Sequence, residues 1–144
     1  MLRVEDDPDP ADVAALDDRL NAFTVRVTGH DDARPLAVMA RTATGDLTGG
    51  IHGWTWGGCC ELVSLWVDEP QRGHGVGRAL LAHAEEAARR RGCTQVVLFT
   101  HADQAPALYR ESGYELVATV EGYPAGSAAH WFRKPLQLPV TQAG

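Results

Sequence analysis

The segment from Arg72 to Arg78 holds the residues of this chain that are best suited to bind an anion. Glycine stands at every second position inside it, at Gly73, Gly75 and Gly77, and an arginine stands at each end. Glycine lets the main chain approach a bound group closely and adopt positive φ angles. The free N–H groups at the start of a helix attract anions. If a helix begins here, the segment predicts a phosphate or pyrophosphate site.

Three other interpretations of these glycines have to be considered: two known types of nucleotide-binding loop and a tight turn without a ligand. A Walker A loop is excluded, because no Lys-Ser or Lys-Thr follows the glycines. A dinucleotide-binding loop has the spacing GxGxxG after a first strand, whereas the spacing here is GxGxG and several predicted strands precede it. A tight turn alone would not account for the two flanking arginines, so the anion site is favoured.

Hydrophobic periodicity places this segment between a strand and a helix. Apolar residues at helical spacing predict a helix over residues 76–91, which closes on three arginines and a glycine. An apolar run predicts a buried strand over 95–100. With the strand predicted over 60–67, these elements form a βαβ unit, whose two strands should be parallel.

Other elements surround this unit. The predicted order is a helix over 10–24, a hairpin of strands 36–42 and 47–56, the βαβ unit, a helix over 104–112, and a closing hairpin of strands 114–121 and 128–134. We therefore expect an α/β fold (α+β type): one domain with a mixed, mostly antiparallel sheet flanked by helices and with a single βαβ crossover.

Composition limits the classes of partner. The net charge is −6, and seven acidic residues crowd the first eighteen positions. This argues against nucleic-acid binding, which needs a basic face; it is compatible with a cationic amine substrate or with a merely solvated surface. No apolar run reaches the roughly 20 residues of a membrane span, and the N-terminus lacks the order of a secretory signal. We expect a cytoplasmic protein with no membrane partner.

The three cysteines, Cys59, Cys60 and Cys93, predict neither a disulfide framework nor a zinc site. Their number is odd and two are adjacent, and no CxxC or spaced Cys/His set occurs. We expect them to act as small buried apolar residues, and we expect no metal.

Two motifs together resemble those of a known superfamily. The segment Gln71-Arg72-Gly73-His74-Gly75-Val76-Gly77 is similar to the (Q/R)xxGx(G/A) signature of the GNAT N-acyltransferases. The later segment from Ala105 through Tyr109 to Gly113-Tyr114 is similar to their AxxxYxxxG(F/Y) element. Both occur in the expected order and at the expected distance, and the alternation of strands and helices covers nearly the whole chain.

The resemblance implies the fold and the cofactor site. The sheet should splay between the strands that end near Val67 and Thr100, with a bulge at residues 65–67. Acetyl-CoA would be the acyl donor, and main-chain groups of Trp66 and Val67 would hold its pantetheine arm. The pyrophosphate would bind to the N–H groups of the signature loop, which comprises Arg72, Gly73, His74, Gly75, Val76, Gly77 and Arg78.

The resemblance also implies an activity, the transfer of an acetyl group to a primary amine by direct attack. Tyr109 matches the tyrosine that contacts the cofactor and protonates the leaving CoA thiolate. Ala102 stands where the family often has an asparagine that helps to hold the cofactor arm, and Asp103 or Gln104 are candidates to replace it. The implied oligomer is a homodimer.

Glu61 is a candidate general base, because it matches a glutamate that some members use. Strand alternation predicts that it shares a face with Val63, Leu65 and Val67. The alternatives are an exposed glutamate at the strand start, a chain of water molecules, or a histidine base, for which the candidates are His52, His101 and His130.

The acceptor is expected to be a small-molecule or peptide amine. Trp54 and Trp56 alternate along one strand and so share a face, where they line an acceptor pocket or cover the core. Tyr123, in the last hairpin turn, and His130 are further acceptor-binding candidates.

The predicted single domain covers residues 1–144. The acceptor side is placed at about 1–58, the acyl-CoA site at 59–113, the closing hairpin at 114–135 and a short tail at 136–144. Three alternatives stay open: an acyl donor bound to a carrier protein, a non-catalytic acyl-CoA-binding regulatory domain, and a nucleotide-binding enzyme of another type.

Overall fold

The computed structural model describes residues 1–137. The chain divides into two compact units, Met1–Asp31 and Asp32–Gly144, so the single domain over 1–144 stays a prediction. Of the predicted tail, residues 138–144 lie outside the described residues. Leu136, at its start, is buried in the core, and its N–H donates to the carbonyl of Thr94 at 2.8 Å.

The first unit contains helix α1, Pro10–Thr28. The side chain of Asp9 caps its start by accepting a hydrogen bond from the N–H of Ala11, and Pro10 occupies the first turn. The helix was predicted to end at residue 24 but continues to Thr28, because the first residue that terminates it is Gly29. Gly29 adopts the left-handed conformation with φ 75° and donates to the carbonyl of Val25.

The second unit is a six-stranded sheet with the order β1-β2-β3-β4-β6-β5. The strands are β1 (Arg34–Arg41), β2 (Leu47–Trp56), β3 (Cys59–Val67), β4 (Gln95–His101), β5 (Glu115–Glu121) and β6 (Ala128–Pro135), and the helices are α2 (Val76–Arg90) and α3 (Pro106–Glu111). Within the described residues, only β3 and β4 pair in parallel. The predicted fold class, with its one crossover, is confirmed.

Helix α2 packs on one face of the sheet and forms the core with it. Its apolar stripe, which includes Leu80, Leu81 and Ala84, is buried together with inward-facing strand residues such as Ile51 and Phe132. None of the helices in the described part of the chain is long and apolar enough to cross a membrane.

The central strands separate halfway along β3. Strands β3 and β4 are paired from Cys59↔Gln95 only as far as Leu62↔Leu98. In the same region the register between β2 and β3 shifts between His52 and Gly53, which leaves Val63 as an extra, bulged residue. The bulge predicted at residues 65–67 therefore lies earlier in the strand.

Gly53 explains where the bulge sits. A Cβ atom at Gly53 would lie 1.9 Å from the carbonyl oxygen of Glu61, so the main chains of β2 and β3 approach too closely for any side chain. The bulge also reverses the alternation that follows it: Leu65 and Val67 pack against the core, whereas Glu61 faces the opposite side. The predicted shared face of Glu61 with Leu65 and Val67 is wrong for this reason.

A buried ion pair joins α2 to β6. Lys134 Nζ lies 2.5 Å from Glu85 Oε1, and Glu85 is only 4% exposed. The hydroxyl of Tyr114 donates to the other carboxylate oxygen at 3.4 Å, and Lys134 lies over the Tyr114 ring at 5.6 Å. A buried carboxylate has to keep its partners, because water cannot replace them.

We expect Gly53→Ala to lower the free energy of unfolding by about 1–3 kcal/mol, because the new methyl group meets rigid main chain. Gly50→Ala is the matched control: a Cβ there would meet the flexible Met39 side chain, its Sδ atom at 2.7 Å, which can move aside. Urea unfolding of both variants measures the difference. Equal losses would contradict the assignment of the close contact to Gly53.

We expect Lys134→Met to cost about 3–5 kcal/mol in unfolding free energy, because it leaves the Glu85 carboxylate buried without its cation. Arg133→Met is the control, since it breaks the exposed pair of Arg133 with Glu115 at 3.1 Å, a type of pair worth about 0–1 kcal/mol. Thermal and urea unfolding at neutral pH compare the two. A Lys134 variant as stable as the Arg133 variant would show that the buried pair does not stabilise the fold.

Candidate active site

A cleft of about 770 Å³ opens where β3 and β4 part. Its walls are the end of β3, the glycine-rich loop, the end of β4 and the start of α3. The predicted cofactor-binding residues that line it are Trp66, Val67, Arg72, Gly73, Gly75, Val76, Gly77, Arg78 and Tyr109. His74 is exposed and is not among the lining residues.

The glycine-rich loop delivers an uncapped helix start to this cleft. Gly73 and Gly75 both adopt left-handed φ angles, 78° and 82°, and Gly75 is the N-cap of α2 without any side-chain cap. The first intrahelical bond runs from Ala79 N–H to Gly75 C=O at 3.0 Å. The N–H groups of residues 76–78 precede it and have no intrahelical acceptor, so the positive end of the helix dipole faces the cleft.

Gly77 serves a different purpose from the other two glycines. It lies inside the first turn of α2, where a Cβ atom would be 3.3 Å from Leu108 Cδ2 and 3.8 Å from Val67 Cγ2. The missing side chain lets the start of α2 approach both α3 and the end of β3. The glycine therefore narrows the cleft by close packing and needs no unusual φ angle.

The two arginines hold the loop at its ends. Arg72 Nε donates to the carbonyl of Val67 at 2.9 Å, which ties the loop back to the end of β3. Arg78 Nη2 lies 3.0 Å from Glu111 Oε2 and connects the first turn of α2 to the end of α3. Both guanidinium groups thus stay at the mouth of the cleft beside the helix start.

The main-chain groups at the end of β3 point alternately toward β2 and toward the cleft. Asp68 N–H donates to Thr48 C=O on β2, so by strand alternation Val67 turns its main-chain groups toward the open side. Trp66 alternates with it: its carbonyl oxygen lies 2.9 Å from where a Cβ of Gly49, on β2, would be. Trp66, which is half exposed, lines the cleft together with Val67. The contact of both main chains with the cofactor arm stays a prediction.

Tyr109 lies on α3 and is 7% exposed at the cleft wall. Its ring is held between Tyr114, edge-on at 5.9 Å, and Phe132 at 5.8 Å. Burial raises the pKa of the Tyr109 hydroxyl above its ordinary value. The hydroxyl is therefore protonated at neutral pH and can act as a proton donor.

Helix α3 begins later than predicted, at Pro106 instead of residue 104. The reason is the preceding turn, in which Gln104 Oε1 accepts from the N–H of His101 at 3.1 Å and Ala105 adopts a left-handed φ of 49°. Asp103 and Gln104 line the cleft, whereas Ala102 does not; the N–H of Ala102 donates to Ala128 C=O at 2.8 Å.

The remaining candidates lie outside the residues that line the cleft. Glu61 pairs in register with Trp54 on one side and Val97 on the other, and faces away from α2. Trp56 lines a separate cavity of about 290 Å³. His130 Nδ1 is 3.0 Å from Thr119 Oγ1. The roles of these residues stay predictions.

Phe99 lines the cleft although the sequence pattern did not single it out. It comes directly after Leu98, the last β4 residue that pairs with β3. Its position next to the predicted end of a splaying strand is the signal that could have identified it.

The cysteines take no part in this cleft. Cys60 and Cys93 are buried, and burial raises the pKa of the Cys60 thiol to about 12, which keeps it protonated and poorly nucleophilic. In the described residues, no group of three or more His, Cys, Asp or Glu is placed to hold a metal ion.

Known proteins share both the sequence and the fold. The sequence model of the acetyltransferase (GNAT) family matches residues 3–114. Blasticidin-S acetyltransferase of Streptomyces morookaense is 40% identical over 119 residues, which cover 78% of this chain and 85% of that protein. A solved acetyltransferase of Agrobacterium tumefaciens is 30% identical with a TM-score of 0.86, and covers 94% of this chain and 99% of its own.

A more distant structure has the same fold with a ligand bound. This protein of Bacillus anthracis is described as a streptothricin acetyltransferase and is in complex with acetyl coenzyme A. The TM-score is 0.62 and the identity 19%, over 72% of this chain and 63% of that one. With the family model matched from the first unit to the end of α3, and with a splayed sheet whose cleft receives an uncapped helix start, the chain belongs to the GNAT family and is an acyl-CoA-dependent N-acetyltransferase.

Proposed function

We propose that this enzyme transfers the acetyl group of acetyl-CoA to a primary amine of a small molecule, with Tyr109 as the general acid. The observation that carries the proposal is that the uncapped start of α2 and the buried phenol of Tyr109 open on the same cleft. An anion site at one end and a proton donor at the wall are the two features that a phosphate-bearing thioester requires.

The residues of the cleft suit the parts of acetyl-CoA. The N–H groups of residues 76–78, with Arg72 and Arg78 beside them, bind the pyrophosphate. The N–H of Val67, on an edge of β3 that β4 leaves unpaired, binds the pantetheine arm as an added strand would, while the Val67 carbonyl holds Arg72. The cleft volume of about 770 Å³ is in the range of sites that enclose a ligand of cofactor size.

Bound acetyl-CoA supplies a thioester carbon that a neutral amine can attack. As the C–N bond forms and the C–S bond breaks, Tyr109 provides the proton that the sulfur takes up, and solvent restores it. An acceptor that binds as an ammonium loses one proton before the attack and a second as the amide forms. Glu61, next in sequence to the cleft residue Leu62, is the proposed acceptor through water, from which both protons pass to solvent. The products are an N-acetyl amide and free CoA.

A small-molecule acceptor is supported by the relatives. Two proteins similar to this chain are named for the antibiotics that they acetylate, blasticidin S and streptothricin, and the first of them is matched over 85% of its length. The net charge of −6 also favours a cationic amine over an acidic acceptor.

We expect Arg72→Gln to weaken acetyl-CoA binding about tenfold or more, because the variant loses a charge at the mouth of the cleft and the bond that ties the loop to Val67. Arg90→Gln is the matched control, an arginine at the opposite end of the same helix. Calorimetric titration with acetyl-CoA, CoA and ATP measures both. If the two variants have equal dissociation constants for acetyl-CoA, the proposal that this loop binds the pyrophosphate is wrong. Tight ATP binding without CoA binding would favour a nucleotide-binding enzyme of another type.

We expect Tyr109→Phe to lower kcat by about 10²–10⁴-fold, the usual contribution of general acid catalysis, while the dissociation constant of acetyl-CoA changes little. Because the folded-state pKa of Tyr109 is raised, the acid form persists at neutral pH and is lost only as the pH rises through that value. The wild-type kcat should therefore fall on a strongly alkaline limb that the variant lacks.

The control for Tyr109→Phe is Tyr114→Phe, which removes a neighbouring hydroxyl that bonds to Glu85 instead of lining the cleft. A thiol-release assay with a panel of primary amines gives the rates. An unchanged kcat in the Tyr109 variant would contradict the acid role. Acetyl-CoA binding without turnover of any amine would favour a non-catalytic binding domain.

A further inference from the structure

Aromatic rings continue from the cleft across the sheet face that lies opposite α2. Phe99 lines the cleft and stands opposite Trp131 on β6, with 4.9 Å between the ring centroids. Beyond it, the rings of His101 and Tyr123 are stacked in parallel at 4.8 Å and 7°. Phe99 is 5.7 Å from His101 and 6.0 Å from Tyr123. We call these four residues the aromatic face.

The aromatic face is not part of the hydrophobic core. Tyr123 is 53% exposed and Trp131 is 37% exposed, whereas the neighbouring Phe132, on the core side of the same strand, is 1% exposed. The Tyr123 carbonyl accepts a hydrogen bond from His101 Nδ1 at 3.2 Å, which fixes the hairpin turn against the end of β4. The rings are thus held in place but keep accessible surface.

A carboxylate lies beside the aromatic face. Glu61 stands in register with Val97 on β4, two residues before Phe99. Glu61 and Phe99 are therefore offset by roughly 7 Å along the strand direction. Both side chains are on the sheet face opposite α2. A ligand whose ring contacts Tyr123 or Trp131 and whose cationic amine reaches Phe99 would therefore place that amine near a negative charge and at the inner end of the cleft.

We propose that the aromatic face binds the acceptor, and that the acceptor is a small amine that carries a planar, π-bonded ring. This rests on the acetyl transfer proposed above. Flat rings gain from stacked and edge-on contacts with exposed Tyr and Trp rings, which a saturated ring of the same size cannot make. We choose the acceptor as the ligand because the aromatic face is continuous with the cleft through Phe99. A ligand whose ring stacks on this face can direct its amine to the place where β3 and β4 separate.

The test compares 2-phenylethylamine with 2-cyclohexylethylamine, which share the same ammonium group and chain and differ in the planarity of the ring. For the wild-type enzyme at saturating acetyl-CoA, we expect kcat/KM to favour the planar amine about fivefold or more. In Tyr123→Leu and Trp131→Leu the preference should shrink to within about twofold through a higher KM for 2-phenylethylamine. Val117→Ala, an exposed apolar residue on β5, should retain it.

A second measurement does not depend on turnover. Saturation-transfer NMR of both amines on the CoA-loaded protein should show stronger transfer to the planar ring, and this signal should be lost in the two leucine variants. Equal transfer to the two amines, or a preference that the leucine variants retain, would overturn the proposal while leaving acetyl transfer intact. If the wild-type protein does not bind acetyl-CoA, the proposed function itself is wrong.

The oligomeric state of the variants provides a last control. Sedimentation of wild type, Tyr123→Leu and Trp131→Leu should give the same mass. If the two variants change in mass and the wild-type enzyme shows no preference between the two amines, the aromatic face contacts a second copy of the chain. This result would overturn its assignment to the acceptor.

Discussion

The close contact between Gly53 and the main chain of Glu61 is the constraint on which the site depends. It accompanies the bulge at Val63, and at the same level β3 and β4 stop pairing after Leu62↔Leu98. Beyond this pair, the end of β3 stays bonded to β2, and its other edge, which has no β4 partner, faces the cleft, where the Val67 carbonyl accepts from Arg72.

Two further elements turn this gap into a binding site. The loop after β3 returns to the strand through the bond from Arg72 to Val67, so α2 starts directly beside the gap. Helix α3 closes the other side and is held by the packing of Tyr109 against Tyr114 and Phe132. The Tyr114 hydroxyl bonds to Glu85, which is paired with Lys134. Because the Tyr114 ring contacts Tyr109, the position of the proposed acid depends on these polar groups in the core.

The sheet has a different chemical character on each of its faces. The face toward α2 is apolar and buried, and its role is stability. The opposite face carries Glu61, His101 and partly exposed rings, and a contiguous exposed apolar surface of this kind is typical of a binding site. This asymmetry is the physical reason to seek the acceptor there, beside the gap that we propose for the cofactor.

Local patterns in the sequence were sufficient to predict the type and order of the elements. The proposal of an anion site in the loop also came from residue type alone, because glycine freedom and arginine charge act over a few residues. The bounds of α1 and α3 were less predictable. Helix α1 ends at a glycine that supplies the cap, and α3 is shortened because the Gln104 side chain bonds to the turn before it.

Only the tertiary structure decided which residues share a face and which line the cleft. The side-chain period of a strand is two residues, so the single extra residue at Val63 moves Leu65 and Val67 to the core and leaves Glu61 on the opposite face. Such a bulge is set by the close approach of a second strand at Gly53, which no pattern within β3 records. For the same reason the four rings of the aromatic face, from β4, β6 and the hairpin turn, become neighbours only when the strands pair.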